Sequence, residues 1–504
     1  MPLSTLNDEQ LSAATAPLGH NLIIASAGTG KTSTIVGRIA HLLHGGTEPS
    51  KILLLTFTNK AAGEMIARLE RYFPKKIVNK IESGTFHAVS YRWLKEIYPN
   101  LALKQPSELK TLFRSIYEKR NFERMNLTMQ PFSATYLYEM YSLYQNASLE
   151  GFDVWFLEKY PDHELLMDIY MDIAQEFEAE KIKYGFASFN DLLLRMKSHL
   201  EENTIPFEEV LVDEYQDTNT LQSALIDVLK PKSLFCVGDY DQSIYAFNGA
   251  NIENIATYST RYPDASVFTL KTNYRSTAPI LSLANRVIER NERIYPKKLE
   301  VGRVMKSYPP KLLMYNDLFE QYQSIAEGIK RTHVPNDQIA VIFRNNSSAD
   351  GVEASLREYG IPCKRKGGTS FFDAKEIKFL LDLLALLVNP KDMMAFIHVF
   401  EYARGVGSAL SKEFFQCFLH FGEGHLMQGV LYPKVHDLPK LNPHKNVQLG
   451  LFDDDQEIGS AARFKLMNLE SGLYNHPLLK HAKLSNEGMD FFKEFYTLMK
   501  SIHR

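Results

Sequence analysis

The chain has 504 residues, of which 45% are hydrophobic and 23% are charged, and this composition is typical of a globular protein with several domains. No run of about 18 uninterrupted apolar residues occurs, so we expect no membrane span, and the formal net charge of -3 argues against a protein that coats polyanions through overall charge. The three cysteines, Cys236, Cys363 and Cys417, form neither a zinc-binding spacing nor a disulfide framework, which predicts a protein of the reducing cytoplasm.

Short apolar runs that lead into glycine-containing or acidic segments predict a parallel sheet. Asn21–Ala25 leads straight into the loop Ala25–Thr32, and Thr32–Leu43 then carries apolar residues at helical spacing. Three further runs predict strands at Ile52–Leu55, Val210–Val212 and Leu234–Val237. Strands that alternate with helices form sheets covered on both faces, and such sheets bind ligands at the carboxyl ends of their strands.

The pattern of the chain changes twice after these first strands. Residues 88–202 are helical in period and poor in glycine, which predicts a helical insertion. A second α/β pattern begins near Lys271, with strands predicted at Lys311–Met314 and Ile339–Phe343, and helices predominate from about Pro390. The predicted domains are 1–87 with 203–270, the insertion 88–202, a second α/β domain in 271–385 and a second helical insertion in 386–504.

The loop Ala25–Thr32 reads ASAGTGKT, which is the composition of a phosphate-binding loop. Its small residues allow backbone N–H groups to turn towards phosphate oxygens at the start of a helix. Lys31 is placed to reach the β- and γ-phosphates, and Thr32 to coordinate Mg²⁺. The alternative is a chance glycine-rich turn, which the strand before the loop and the helix after it argue against.

Two carboxylates, Asp213 and Glu214, follow the predicted strand Val210–Val212. Nucleotide hydrolysis requires one carboxylate that holds Mg²⁺ through water and one that polarises the attacking water. An exposed acidic turn is the alternative interpretation. Gln242 and Arg275 are candidate phosphate-sensing groups, and the planar, permanently charged guanidinium of an arginine suits a developing phosphoryl charge.

Seven motifs stand in the order found in one helicase family. They are Leu6–Gln10, Ala27–Thr32, Thr56–Ala62, Gly84–His87, Val212–Thr218, Gly238–Ala250 and Asn273–Thr277. With these motifs the chain resembles the superfamily 1 DNA helicases of the UvrD/PcrA/Rep family, over residues 6 to about 380. The resemblance implies an α/β fold with two RecA-like P-loop motor domains, each a parallel sheet flanked by helices and each carrying a mostly helical insertion.

The resemblance also implies ATP and Mg²⁺ as cofactors and assigns a role to individual residues. The implied catalytic residues are Lys31, Asp213, Glu214, Gln242 and Arg275, with Mg²⁺ at Thr32 and Asp213. The implied nucleotide contacts are Gln10, Ala25, Ser26, Ala27, Gly28, Thr29, Gly30, Lys31, Thr32, Ser33, Tyr274 and Arg275. In this scheme Gln10 reads the adenine edge, Tyr274 stacks on the adenine ring and Arg275 contacts the γ-phosphate.

A track for single-stranded DNA is the third implication of the resemblance. The implied contacts are Phe57, Thr58, Asn59, His87, Tyr245, Phe247 and Asn248, and Arg344 is added because it ends a predicted strand. Aromatic faces stack on bases without sequence preference. Phe247 and Asn248 stand where the family usually has Trp and Arg, so we expect weaker DNA affinity or weaker coupling of steps. Core packing is the alternative for Phe57 and Phe247.

Two motifs of the family do not occur after Lys378. One reads approximately His-x-x-Lys-Gly-Leu-Glu, and the other carries a second arginine for the γ-phosphate. We therefore expect the second motor domain to be incomplete and this polypeptide to unwind DNA weakly or not at all by itself. A fragment, a truncated reading frame and one part of a split enzyme are the open explanations.

The expected function is ATP-dependent 3′-to-5′ movement on single-stranded DNA and unwinding at junctions of single-stranded and duplex DNA, in repair or replication. The expected location is the bacterial cytoplasm, in association with the nucleoid. A nucleotide-responsive DNA-binding module and the motor part of a split helicase are alternatives. Gln448–Phe452 reads QLGLF and resembles the peptide that binds the bacterial sliding clamp, with an ordinary loop as the alternative.

Overall fold

A computed structural model describes residues 2–120, 122, 129–243, 249–291, 295, 297–302, 306–366, 375–439 and 471–503. The chain divides into two compact units, Met1–Pro309 and Pro310–Arg504. The predicted domain boundaries inside these units stay predictions. No helix in the described ranges is both long and apolar enough to cross a membrane.

The first unit is built on a six-stranded parallel sheet. The strands of the described residues are β1 (His20–Ala25), β2 (Ile52–Leu55), β3 (Glu82–Gly84), β4 (Ala102–Leu103), β5 (Phe186–Ala187), β6 (Glu209–Val212), β7 (Ser233–Gly238), β8 (Ser266–Leu270), β9 (Thr272–Asn273) and β10 (Glu300–Val301). The large sheet has the order β3-β2-β6-β7-β1-β8, and β9–β10 and β4–β5 form two small parallel pairs. The carboxyl ends of all six strands therefore share one edge.

Both faces of the large sheet are covered by apolar side chains. Alternate residues of one strand point to opposite faces, and in β1 Leu22 and Ile24 join one hydrophobic cluster while Ile23 and Ala25 join the other. The strands are therefore nearly continuous apolar runs, as a sheet with two buried faces requires. This observation confirms the predicted α/β class with a parallel sheet between helices.

Fourteen α-helices of the described residues belong to the first unit. They are α1 (Asp8–Ala14), α2 (Lys31–His44), α3 (Asn59–Leu69), α4 (Lys75–Val78), α5 (Phe86–Ile97), α6 (Pro106–Glu118), α7 (Ala134–Ala147), α8 (Phe152–Lys159), α9 (Met167–Tyr184), α10 (Phe189–Glu202), α11 (Thr220–Leu229), α12 (Glu253–Ala256), α13 (Tyr258–Arg261) and α14 (Ala278–Ile288). Between β3 and β6 helices predominate, and only β4 and β5 interrupt them in the described ranges. Side chains cap several helix starts; Thr58, for example, accepts from the Ala61 N–H at α3.

The described part of the second unit consists of helices. They are α15 (Leu318–Arg331), α16 (Asn346–Glu358), α17 (Lys375–Val388), α18 (Met393–Phe400), α19 (Ser408–Phe421), α20 (Leu426–Leu431), α21 (Ser471–Tyr474) and α22 (Asn486–Ile502). Ala326, Val352 and Leu356 form a small core between α15 and α16. Phenylalanines of α18 and α19 pack in a second one, where the Phe396 ring stacks on Phe400 at 4.2 Å and meets Phe418 of α19 edge-on at 5.8 Å.

The strands predicted at Lys311–Met314 and Ile339–Phe343 are wrong for this structure. Neither segment pairs with another strand in the described residues. Leu312, Met314 and Ile342 are each at least 88% exposed. An apolar run becomes a strand only where a neighbour accepts its hydrogen bonds, and the described parts of this unit offer no such neighbour.

Candidate nucleotide site and nucleic-acid interface

The phosphate loop joins the end of β1 to the start of α2, at the carboxyl edge of the sheet. Gly28 has a φ of 81° and Gly30 a φ of 87°, conformations that favour glycine. A Cβ at Gly28 would lie 2.8 Å from the Asn273 Nδ2, and a Cβ at Gly30 would collide with the Gln10 Nε2. The two glycines are therefore required by backbone conformation and by the close approach of two other predicted motifs.

The remaining loop residues close the turn and open the helix. Ala25 and Ser26 are buried, and the Thr29 hydroxyl donates to the Ser26 carbonyl oxygen at 2.7 Å. Helix α2 begins after Gly30 without a side-chain cap, so the N–H groups of its first turn, which includes Thr32 and Ser33, have no acceptor within the helix. These N–H groups and the positive end of the helix dipole favour an anion at this position.

Lys31 contacts the acidic motif that follows β6. Its Nζ lies 2.5 Å from the Glu214 Oε2. Glu214 has a φ of 50°, in the left-handed region that residues with side chains seldom adopt, and such backbone strain is concentrated at functional sites. The same carboxylate oxygen accepts the Gln216 Nε2 at 2.8 Å. A phosphate that enters the loop would compete with Glu214 for Lys31.

Asp213 is a buried carboxylate with the properties of a magnesium ligand. Burial, followed by the neighbouring Glu214 carboxylate, raises the pKa of Asp213 from 3.8 to about 6, whereas Lys31 lowers it. The Asp213 Oδ1 is buried and has no hydrogen-bond partner. No cluster of three or more His, Cys, Asp or Glu in the described ranges could hold a metal ion. Mg²⁺ suits such a site, because it takes one or two protein ligands and completes its shell with phosphate and water.

Gln242 belongs to a short 3₁₀ helix, Tyr240–Gln242, that follows β7. Its Nε2 donates to the Asp239 carboxylate, and the Asp239 N–H donates to the Gln216 Oε1 at 2.8 Å. Because Gln216 also donates to Glu214, hydrogen bonds connect Gln242 with the residue that pairs with Lys31. Four of the five predicted catalytic residues, Lys31, Asp213, Glu214 and Gln242, therefore lie along one edge of the sheet.

Arg275, the fifth, is held near the phosphate loop by its neighbours. The Tyr274 N–H donates to the Gly28 carbonyl oxygen at 2.8 Å, and the Asn273 Nδ2 donates to the Ala27 carbonyl oxygen at 2.6 Å. Asn273 also accepts the Arg275 N–H at 3.0 Å. The sequence placed Asn273 in a motif but did not predict that its side chain bonds to the loop.

Gln10 contacts the phosphate loop directly. Its Nε2 donates to the Thr29 carbonyl oxygen at 2.8 Å, and its Oε1 accepts the Asn7 N–H at 3.1 Å. Asn7 in turn donates to the Tyr274 hydroxyl at 2.8 Å. The residues predicted to contact adenine, Gln10 and Tyr274, are therefore linked through Asn7. The contact between Gln10 and Thr29 was not predicted.

A cavity of about 730 Å³ in the first unit brings together two of the predicted DNA contacts, Phe57 and His87. Phe57 is 48% exposed, which does not match the core-packing alternative. Thr58 and Asn59 follow it at the start of α3, where the Asn59 Oδ1 accepts the Thr85 N–H at 3.4 Å. Burial lowers the pKa of His87, which favours a neutral imidazole able to stack or to hydrogen-bond.

The helices between β3 and β6 supply the other wall of this cavity. Phe189 meets the His87 ring edge-on at 5.8 Å, and Lys110, Tyr138 and Asn190 also line the cavity. These residues were not predicted. No sequence signal identifies them, because the apolar period of their helices predicts only packing. They line the same cavity as Phe57 only because the tertiary fold brings these helices there.

The other four predicted DNA contacts either lie outside the described residues or belong to the second unit. Tyr245, Phe247 and Asn248 lie outside the described residues, as does the clamp-binding segment Gln448–Phe452. Arg344 is exposed and belongs to the second unit, where it follows the run 339–343 that forms no strand. Their roles stay predictions.

Two family models match this chain. The UvrD/REP helicase N-terminal domain matches residues 6–263, and the UvrD-like helicase C-terminal domain matches residues 268–422. The first match contains the loop at Lys31 and the carboxylates Asp213 and Glu214, and the second begins shortly before Tyr274 and Arg275.

Curated relatives agree with these matches. The chain is 32% identical over 423 residues to the ATP-dependent DNA helicase PcrA of Leuconostoc citreum, covering 80% of this chain and 55% of the relative. The PcrA of Bacillus subtilis is 32% identical over 431 residues, covering 81% and 56%. DNA helicase II of Salmonella typhimurium is 33% identical over 422 residues, covering 80% and 57%.

The chain thus spans a little more than half the length of the curated relatives it matches. Both family models and the contacts around the phosphate loop agree with the resemblance derived from the motifs. The chain belongs to the UvrD/Rep family of helicases.

Proposed function

We propose that this chain is an ATP-driven DNA motor that moves 3′ to 5′ on single-stranded DNA and acts at junctions with duplex, where the 504-residue chain by itself separates strands only weakly. The observation that carries this proposal is the connected set of contacts from Lys31 through Glu214 and Gln216 to Asp239 and Gln242. Because these residues are connected by hydrogen bonds, a γ-phosphate that binds Lys31 can shift the side chains of several motifs together. The 3′-to-5′ direction rests on family membership alone.

In the proposed cycle, the first turn of α2 binds the phosphates and Lys31 exchanges Glu214 for a phosphate oxygen. Glu214 is then free to accept a proton from the attacking water, as a general base. Thr32 and Asp213 would hold Mg²⁺, which neutralises charge on the phosphates when bound. Arg275 and Gln242 contact the γ-phosphate, where charge develops in the transition state.

The cavity beside Phe57 supports the DNA half of the proposal. A half-exposed aromatic ring and a neutral imidazole line the same cavity and can each stack on a base. Lys110 also lines this cavity, where its ammonium lies 2.6 Å from the Glu139 carboxylate. Base stacking on an aromatic residue contributes roughly 1–3 kcal/mol per base. Such binding tolerates any sequence, as a translocating motor requires.

The deciding experiment measures ATP hydrolysis by the purified 504-residue chain with and without single-stranded DNA. We expect DNA to stimulate hydrolysis, and Lys31→Ala to abolish it, because the lysine is the cation that contacts the phosphates. Phe57→Ala should weaken DNA binding at least about fivefold while nucleotide affinity stays unchanged. DNA-stimulated turnover that survives Lys31→Ala would contradict the assignment of the loop.

One observation favours a second candidate, a nucleotide-responsive DNA-binding module that does not unwind. The described part of the second unit contains no strand, and a sheet-based second motor domain is what the family's stepping mechanism implies. In this case the chain binds DNA with an affinity that changes with nucleotide but does not separate strands. A strand-separation assay beside the hydrolysis assay distinguishes the two candidates.

A further inference from the structure

Lys297 lies outside every motif derived from the sequence, yet its side chain is 0% exposed. Its Nζ forms an ion pair with the Asp239 Oδ1 and lies 3.4 Å from the Asp241 Oδ2. The ammonium also lies 4.7 Å from the centre of the Tyr240 ring. The lysine therefore contacts three consecutive residues of the segment that leads to Gln242.

A buried ammonium is costly, and its burial indicates that the contacts it makes are specific. Removing a charge from water is strongly unfavourable unless a partner of opposite charge compensates for it. Asp239 and Asp241 supply that compensation here. The Tyr240 hydroxyl donates to the Tyr295 carbonyl oxygen, which adds a second link between the same two segments.

The two carboxylate oxygens of Asp239 have different hydrogen-bond partners. Its Oδ1 contacts Lys297 and accepts the Asp241 N–H at 3.2 Å, whereas its Oδ2 accepts the Gln242 amide. A carboxylate is planar, so fixing one oxygen fixes the direction of the other. Lys297 therefore orients the group that holds the side chain of Gln242.

The segment that carries Lys297 also contacts the motif of Arg275. Three residues later, β10 (Glu300–Val301) pairs with β9 (Thr272–Asn273), and the Gly302 N–H donates to the Asn273 carbonyl oxygen at 2.7 Å. Asn273 bonds in turn to the phosphate loop at Ala27. One short segment thus connects both groups assigned to the γ-phosphate.

We propose that Lys297 is a positioning residue for ATP hydrolysis. It orients the Gln242 side chain towards the γ-phosphate and fixes the position of Gln242 relative to Arg275. The inference rests on the proposed function. Lys297 touches neither nucleotide nor DNA in this scheme, so its loss should lower the rate of hydrolysis and leave nucleotide binding intact.

The test compares Lys297→Met and Lys297→Arg with Lys298→Met, a matched control because Lys298 is exposed and adjacent. We expect Lys297→Met to lower the DNA-stimulated kcat about tenfold with the KM for ATP changed less than twofold, as loss of an outer-shell contact does. Lys297→Arg should restore kcat to within about threefold of the parent, and Lys298→Met should match the parent. A kcat for Lys297→Met within twofold of the parent overturns the proposal.

If Lys297→Met does not fold, Lys297→Met/Asp239→Asn takes its place, since it removes both charges of the fully buried pair. The same loss of kcat is expected from it, and a kcat within twofold of the parent overturns the proposal.

If the parent chain shows no DNA-stimulated hydrolysis, the proposed function fails, and amide hydrogen exchange then decides the role of Lys297. Its loss should speed exchange at the Asp241 amide about tenfold relative to Lys298→Met, because the Asp239 carboxylate oxygen that contacts Lys297 also accepts this N–H group. Unchanged exchange overturns the positioning role.

Discussion

Asp213, the proposed magnesium ligand, is a single residue whose charge lowers the stability of the fold. Its pKa is raised from 3.8 to about 6, so the folded protein binds its proton more tightly than the unfolded chain does. Folding stability therefore falls as pH rises from about 4 to about 6, and the loss persists at higher pH. At about 1.4 kcal/mol per pKa unit, this loss amounts to at most about 3 kcal/mol.

Asp213→Asn should therefore stabilise the nucleotide-free protein at pH 7.5, by roughly 1–3 kcal/mol, while removing hydrolysis. The gain should shrink at pH 5, where the parent carboxyl is largely protonated. Urea unfolding at both pH values measures the difference. Equal stability of parent and variant at pH 7.5 would show that the carboxylate is not destabilising.

Gly30 provides a second prediction at the residue scale. Gly30→Ala adds a Cβ that collides with Gln10, in a backbone with a φ of 87°. Gly46 has nearly the same φ, 86°, with no atom near its missing Cβ, so Gly46→Ala is the matched control. Both substitutions should cost about 1–2 kcal/mol of stability through backbone strain. Only Gly30→Ala should also weaken binding of a fluorescent ATP analogue, by about tenfold or more. Equal affinity in the two variants would refute the collision.

At the scale of elements, a buried ion pair joins α2 to β6. Arg38 and Glu209 are both 0% exposed, and their bidentate contact has N–O distances of 2.9 and 3.2 Å. The pair thus connects the helix after the phosphate loop with the strand before Asp213.

Arg38→Met should destabilise the protein by about 3–5 kcal/mol, because it leaves the Glu209 carboxylate buried without a partner. The exposed pair of Arg68 and Glu64 serves as the control, and Arg68→Met should change stability by less than about 1 kcal/mol. Chemical denaturation of both variants measures these changes. Similar losses in the two would mean that burial does not distinguish the pairs.

The elements of the large sheet were predictable where the sequence has uninterrupted apolar runs. Ile52–Leu55 agrees with β2 at both ends, and Asn21–Ala25 differs from β1 by one residue. Strand β3 was missed because Glu82–Gly84 carries no apolar side chain to mark it. Conversely, Ile339–Phe343 has the apolar content of a strand but no partner in the described residues. Composition predicts which segments can pair, and only the fold supplies the pairing.

At the scale of the whole molecule, the predicted nucleotide contacts belong to one compact unit. All the residues predicted to bind nucleotide, from Gln10 to Arg275, lie within Met1–Pro309. We expect a fragment of residues 1–309 to fold and to bind a nonhydrolysable ATP analogue with a Kd within about threefold of the full chain. Calorimetry on both proteins measures this. A loss beyond tenfold would show that the second unit contributes to binding.

The sequence by itself determined the family and the phosphate loop, because both depend on contiguous residues in a fixed order. Lys31, Asp213 and Arg275 could be named as candidate site residues for the same reason. The tertiary structure decided what surrounds them. Lys297 contacts Asp239, which lies 58 positions earlier in the sequence. Gln10 lies against Gly30, and residues of distant helices line the cavity that contains Phe57. Burial and long-range contact set the pKa of Asp213 and the orientation of Gln242, and neither follows from local sequence.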